Sequence, residues 1–310
     1  SPTCPHARLP LRTSPSPQDR MSITLVAVIA ALLLGHFAKP LAALRHHDGF
    51  VAWLGVLGAE GGSLRRAALW FGLGLPLVLL AALQLWLSGW AYGLPSLLLG
   101  IAAVFYAWGP RDLDLDVEAV IEAEGAEARR EAAKPLFPQR DDAVIEGGPL
   151  VEAVFRCALW RWFGPLFWFF VLGPVGAVGY RLVALSAQGA AQERLPEAQR
   201  GTATVLLGVL DWPVAQLMTL TLALAADFDA VIGAWRRWHA DGVRLGLGHL
   251  EAAARVSVAV ELAEEEAYAA DGPAQAPALL ELRDAMSLVW RVLVIWMGVL
   301  ALFVVAGFVG

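Results

Sequence analysis

The charged side chains that could do chemistry first appear together in the segment GPRDLDLD, at residues 109–116. A stretch without any charge, residues 92–108, precedes this segment. Carboxylates beside an arginine can hold a cation or a phosphate group. The candidates for such a site are Arg111, Asp112 and Asp114. The structural alternative is an amphipathic helix leaving the membrane, because Leu113, Val117 and Ile121 share one helix face and first-turn acids stabilise a helix amino terminus.

A further candidate is Asp211, which lies beside Pro213 within an apolar run. A carboxylate inside a membrane is costly unless it is paired, solvated or protonated, so it is a functional candidate by default. The alternative is that residues 203–210 lie along the membrane interface and Asp211 caps a helix beginning at Pro213. The sequence leaves both interpretations open.

Two more acids, Asp227 and Asp229, stand at the end of the same apolar run. One interpretation is that they are solvated residues at a helix end. The other is that they belong to a site on the cytoplasmic side of the membrane. For a single site we expect them to approach the acids of residues 112–116.

Arg181 closes the apolar run at residues 164–183, where it either extends to the interface or joins the site. We predict that Gly173-Pro174 bends this helix, because proline removes a backbone hydrogen bond in mid-membrane. Glycines recur every third residue at positions 173, 176 and 179. This spacing indicates close packing against another helix.

Several kinds of chemistry have no support in the sequence. The histidines show no paired ligand spacing, and no nucleophile elbow, phosphate-binding glycine loop, haem motif or zinc motif occurs. We therefore predict no metal and no cofactor. The net charge of −6, without a long basic run, argues against a nucleic-acid partner. Two cysteines are too few for a disulfide framework.

The composition indicates what holds these residues in place. Hydrophobic residues make up 58% of the 310 residues and charged residues only 17%, which is typical of a polytopic membrane protein. We predict an all-α transmembrane bundle with cytoplasmic helical loops and the lipid bilayer as its surroundings. Runs long enough to cross a bilayer lie near residues 22–38, 67–87, 90–108, 164–186, 203–226 and 287–309.

The distribution of basic residues predicts the orientation of the spans. The link at residues 88–89 is short and uncharged, whereas the segments on both sides of that hairpin are rich in arginine and lysine. The positive-inside rule therefore places residues 111–160 in the cytoplasm and the amino terminus outside. Residues 227–286 hold more arginines than residues 187–202, which favours a cytoplasmic location for them. We expect residues 1–20 to be disordered or a non-native extension and residues 21–310 to form a single domain.

Short motifs occur in a characteristic order along the chain. They are GPRDL at 109–113, PLFW at 165–168, LGP at 172–174, Tyr180-Arg181, LDWP at 210–213 and DFDAV at 227–231. This pattern resembles the AmpE family, whose members are inner-membrane proteins of Gram-negative bacteria associated with the regulation of β-lactamase. The resemblance covers the chain from Met21 nearly to its end.

The resemblance implies a multi-pass protein of the bacterial inner membrane with a regulatory or signalling role in β-lactamase induction. It also implies, as partners, a cell-wall-recycling amidase pathway or a muropeptide-type ligand. The family is similar to adenosylcobinamide-phosphate synthase, an ATP- and Mg²⁺-dependent amide ligase, so a divergent ligase is the alternative. The ligase carries a polar cluster before its PLFW-like motif, whereas residues 151–164 here hold Glu152 as their one acid. We therefore favour the regulatory role over the enzyme.

Overall fold

The computed structural model of the chain describes residues 47–59, 63–87, 94–108, 112–138, 147–240, 242, 245–268 and 277–305. Our predictions for residues 1–20, for a first span at 22–38 and for Arg111 lie outside these residues. The described part of the chain is helical throughout its regular structure and contains no strand. The predicted all-α class is therefore confirmed.

The helices of the described residues are numbered here in chain order. They are α1 Asp48–Ala59, α2 Ser63–Arg66, α3 Ala68–Leu87, α4 Leu94–Ala107, α5 Leu113–Glu122, α6 Ala126–Ala133, α7 Gly147–Ala158, α8 Gly164–Leu172, α9 Pro174–Ala187, α10 Gly189–Arg194, α11 Glu197–Ala225, α12 Phe228–Trp238, α13 Gly248–Tyr268 and α14 Pro277–Val305. A 3-10 turn at Lys134–Leu136 follows α6. A π-helical turn at Leu159–Phe163 joins α7 to α8.

Three of these helices are long and apolar enough to cross a membrane: α3, α11 and the segment Leu279–Phe303 of α14. They correspond to the predicted spans at 67–87, 203–226 and 287–309, although α11 and α14 begin earlier than predicted. Residues 90–93 of the predicted span at 90–108 lie outside the described residues, and the rest contains α4, which has 14 residues. A helix of that length is about 21 Å long, short of the roughly 30 Å hydrocarbon core.

The predicted span at 164–186 is not one bent helix but two helices, α8 and α9, that run antiparallel. The reversal is at Gly173, whose φ of 68° and ψ of −152° fall in a region open almost only to glycine. Gly176 of α9 packs so closely on α8 that a Cβ there would overlap the carbonyl oxygen of Trp168. Residues eight apart in one continuous helix would be about 12 Å apart along its axis. The bend predicted at Gly173-Pro174 is therefore a full reversal.

The helix α9 lies at the centre of the described bundle and packs against α3, α4, α8, α10 and α11. Gly179 lies against the side chain of Leu77, and Gly173 lies against Gln84. The predicted close packing of the glycine face is therefore present, with α3 as one partner. Since residue numbers rise along α3 as they fall along α9, these two helices are antiparallel.

The end of α11 and the helix α12 form a second antiparallel pair. The indole Nε1 of Trp235 donates to Oε1 of Gln216 at 2.8 Å, and the His239 ring lies 3.3 Å from the Gln216 amide nitrogen. Both contacts join the last residues of the α12 region to the middle of α11. The chain therefore turns back between Ala225 and Phe228.

The helices α7, α13 and α14 pack together beside the apolar bundle. Two ion pairs join α13 to α7: Arg156 with Glu251 at 2.7 Å and Arg255 with Glu152 at 3.0 Å. The segment Gly147-Gly148-Pro149 begins α7. Proline is tolerated in a first helical turn because the backbone N–H groups there have no acceptor within the helix.

Candidate functional site

Asp211 is the most buried of the predicted site residues that the structure describes. The helix α11 continues through Pro213, so Asp211 lies inside a helix and is not the cap of one beginning at Pro213. Its side chain is 3% exposed although α11 is one of the three apolar helices. The interpretation of Asp211 as a cap is therefore wrong, and Asp211 is a buried acid within a helix.

Two hydrogen-bond donors hold the Asp211 carboxylate, one on each oxygen. The hydroxyl of Tyr180 donates to Oδ1 at 2.6 Å, and Nε1 of Trp160 donates to Oδ2 at 2.9 Å. A third donor lies one residue away, where Nε1 of Trp168 donates to the carbonyl oxygen of Leu210 at 3.2 Å. We call these five residues the Asp211 cluster. It ties α11 to the π-helical turn, to α8 and to α9.

The Tyr180 ring reaches Asp211 because Gly164 makes room for it. A Cβ at Gly164 would overlap the Tyr180 ring, which is itself 1% exposed. Gly164 begins α8 and Tyr180 lies in α9, so this contact also requires the reversal at Gly173. The cluster therefore depends on the hairpin of α8 and α9.

The π-helical turn sends two neighbouring side chains to different partners. Trp160 turns toward Asp211, while the guanidinium of Arg161 donates to Oδ2 of Asp116 at 2.5 Å and to the carbonyl oxygen of Pro135 at 2.8 Å. Single turns of π-helix are frequent where a protein places functional side chains. In this chain the turn joins the Asp211 cluster to the helices that follow α4.

Asp116 and Arg161 form a buried ion pair, and Arg161 was not among the predicted site residues. The Asp116 side chain is fully buried and that of Arg161 is 12% exposed. A buried charge that loses its partner is strongly destabilising, so each of these residues requires the other. The pair fastens α5 to the π-helical turn. The alternation of acids and leucines at residues 112–116 does not indicate which acid is buried.

The other acids of α5 have separate positions. Asp114 accepts a hydrogen bond from Nε1 of Trp290 at 3.0 Å. Asp112 occupies the position before α5, and its side chain makes no capping hydrogen bond. Arg181 is 5% exposed and donates from Nε to the carbonyl oxygen of Ala107 at 2.9 Å. Because α9 returns from Gly173, Arg181 lies beside the end of α4 rather than at a distant interface.

Asp227 and Asp229 belong to a different part of the fold. Asp227 precedes α12, and its side chain accepts a hydrogen bond from the Ala230 backbone nitrogen at 2.6 Å. Asp229 lies in the first turn and is exposed. The helix α12 packs on α11 and α13, whereas Asp114 and Asp116 contact α14 and the π-helical turn. These contacts give the two groups of acids different surroundings. The hydrogen bond from Ala230 to Asp227 fits the interpretation of Asp227 as a helix-end residue.

A pair of histidines lies where α12 and α13 meet α11. The rings of His239 and His249 are 5.4 Å apart between centroids. Nδ1 of His239 lies 2.9 Å from the carbonyl oxygen of Trp235. Within the described residues, no group of three or more His, Cys, Asp or Glu side chains is arranged to hold a metal ion.

We expect His249 to make stability depend on pH. Burial, together with the nearby His239, lowers the pKa of His249 from 6.5 to about 4, against the opposing effect of the Ala215 and Gly246 carbonyls. His249 therefore binds a proton more readily in the unfolded chain than in the folded one. The free energy of unfolding decreases as the pH is lowered from about 6.5 to about 4. The slope from this one group is at most about 1.4 kcal/mol per pH unit.

Thermal unfolding in detergent at several pH values measures this effect. His249→Asn does not titrate, so its stability should depend less on pH than that of the wild type across this interval. Equal pH slopes for the two proteins would contradict the role of His249.

The Asp211 cluster holds α11 against the π-helical turn, α8 and α9. Both carboxylate oxygens already accept hydrogen bonds from protein donors, and a buried polar group so satisfied rigidifies its surroundings.

No family model, no curated protein and no solved structure matches this chain. The functional proposal therefore rests on the motifs of the sequence and on the geometry of the site.

Proposed function

We propose that this chain is a multi-pass regulatory or signalling protein of the bacterial inner membrane, linked to β-lactamase induction and cell-wall recycling. The three apolar helices α3, α11 and α14 support a location in a membrane. The regulatory role rests on the resemblance to the AmpE family. Its partner would be the amidase pathway that removes muropeptide signals, or a ligand of the muropeptide type.

One observation carries this proposal. Three of the motifs on which the resemblance rests, PLFW at 165–168, Tyr180-Arg181 and LDWP at 210–213, meet in the Asp211 cluster. Trp168 donates to Leu210, and Tyr180 donates to Asp211. Segments separated in sequence thus act as one packed unit, as expected if the motifs define a family scaffold.

The same contacts favour a regulatory protein over an amide ligase. A ligase that uses ATP and Mg²⁺ needs several carboxylate oxygens open to the metal and to phosphate. The Asp211 oxygens accept from Tyr180 and Trp160, and the Asp116 carboxylate is paired with Arg161. These acids therefore serve the fold.

The proposal is tested by deleting the gene in a host with an inducible β-lactamase. We expect basal or induced β-lactamase expression to change, and the wild-type gene to restore it. Asp229→Asn, at an exposed residue, should also restore it. Asp211→Asn should restore it less well because less folded protein reaches the membrane, which an immunoblot of the membrane fraction measures.

Two results would contradict the proposal. One is unchanged β-lactamase expression, both basal and induced, in the deletion strain. The other is growth of a strain lacking adenosylcobinamide-phosphate synthase when this gene replaces the synthase, since that would demonstrate ligase activity.

A further inference from the structure

A groove of about 530 Å³ lies between α12 and α13, and it is distinct from the Asp211 cluster. Two arginines line it, Arg237 from α12 and Arg255 from α13, together with the Trp238 ring. Small apolar side chains, including those of Ala252 and Val256, complete its walls. The groove thus combines positive charge with an apolar lining.

The acids beside this groove do not fully balance the positive charges of its two arginines. Arg255 is joined through Nε to Glu152 at 3.0 Å, and its side chain remains 54% exposed. Arg237 is exposed and, within the described part of the chain, has no acidic partner. Two arginines therefore line the groove, and Glu152 pairs with one of them, which leaves a net positive charge. Arginine is well suited to phosphate because its planar fork donates two parallel hydrogen bonds.

The position of the groove places it next to an apolar span. The helix α12 turns back along α11, and Trp235 is hydrogen-bonded to Gln216 in the middle of α11. The helices α12 and α13 that line the groove both pack against α11, which is apolar enough to cross a membrane. Tryptophan and arginine together are typical of the boundary between lipid and water.

The Trp238 ring packs against the beginning of α13. A Cβ at Gly248 would overlap this ring, so α13 begins in direct contact with it. A ring that is already packed forms a wall for a bound molecule at little further cost in side-chain entropy. The apolar wall is suited to the glycerol and first methylene groups of a lipid.

We propose that this groove binds the phosphate headgroup of an anionic phospholipid, with Arg237 and Arg255 as its phosphate ligands. A negatively charged headgroup offsets the excess positive charge, and the apolar lining accommodates the adjoining part of the lipid. Basic pockets beside membrane helices are known sites for such headgroups. This inference does not depend on the regulatory role.

The test uses the full chain purified in a nonionic detergent, with short-chain phosphatidylglycerol, short-chain phosphatidylcholine and inorganic phosphate as separate probes. We expect saturable binding of phosphatidylglycerol, measured by native mass spectrometry, and weaker binding of the zwitterionic phosphatidylcholine. Arg237→Gln should weaken the binding of phosphatidylglycerol by about tenfold, as expected for the loss of one strong charged contact. Arg237 has no acidic protein partner in the described structure, so this change leaves the fold intact.

Arg236→Gln is the matched control, because Arg236 is the exposed neighbour on the same helix and does not line the groove. It should bind phosphatidylglycerol as the wild type does. The proposal is wrong if Arg237→Gln and Arg236→Gln bind this lipid equally well. It is also wrong if phosphatidylcholine binds as tightly as phosphatidylglycerol, or if inorganic phosphate is the one probe that binds.

Discussion

Replacing Asp211 with alanine is expected to lower the free energy of unfolding by about 3 kcal/mol, because two buried donors lose their acceptor. The donors are the hydroxyl of Tyr180 and the indole N–H of Trp160. The loss is measured by unfolding of the purified protein in detergent. Asp229→Ala removes an exposed carboxylate from α12 and should change stability by no more than about 0.5 kcal/mol.

A double-mutant cycle separates the hydrogen bond from other effects of the substitution. Tyr180→Phe removes one donor and should cost about 1 to 2 kcal/mol by itself. In the Asp211→Ala background, the same change should cost much less, because its acceptor is already absent. Additive losses would show that Tyr180 and Asp211 do not stabilise each other.

Replacing Gly176 with alanine is expected to destabilise the protein by about 3 kcal/mol, comparable to the cost of overpacking a core. The added Cβ would overlap the carbonyl oxygen of Trp168, and a backbone atom cannot rotate away as a side chain can. The two helices of the hairpin would have to separate. The same unfolding measurement in detergent gives the loss.

Gly208→Ala is the matched control for this substitution. Gly208 lies in α11, and a Cβ there would meet no atom within 4 Å. Because alanine favours a helix over glycine, this variant should be as stable as the wild type or more stable by up to about 1 kcal/mol. Equal stability of Gly176→Ala and Gly208→Ala would contradict the close approach of α8 and α9.

The helical class and the membrane-like spans could be predicted because they depend on composition and on uninterrupted apolar length. The regions at 67–87 and 203–226 form long helices for this reason. Asp211 could be recognised because a carboxylate in an apolar run has few alternatives to a buried partner. Its donors could not be predicted, since Trp160 is 51 residues and Tyr180 is 31 residues from Asp211.

The reversal at Gly173 could not be predicted from its residue types alone. Proline after glycine indicates that a helix is interrupted, but a bend and a full reversal leave the same signal in the sequence. The deciding property is the backbone conformation of Gly173, with φ of 68° and ψ of −152°. The reversal also brings Arg181 to Ala107 at the end of α4, a position that the residue types do not indicate.

The acids of residues 112–116 illustrate a second limit. Asp112, Asp114 and Asp116 alternate with leucines, and their charges are equivalent in the sequence. Packing distinguishes them, because Asp116 is fully buried against Arg161 while Asp114 meets Trp290. A pairing across 45 residues leaves no local pattern by which it could be recognised.

Cysteine labelling in sealed membrane vesicles tests whether α8 and α9 form a hairpin. With Cys4 and Cys157 replaced by alanine, single cysteines are placed at two exposed residues, Glu124 before the hairpin and Ala190 after it. A membrane-impermeant maleimide is then added to vesicles of each orientation. Because the two ends of a hairpin lie together, both cysteines should react in the same vesicle orientation. Reaction of Glu124→Cys and Ala190→Cys from opposite sides would mean that residues 164–186 cross the membrane once, and would contradict the hairpin.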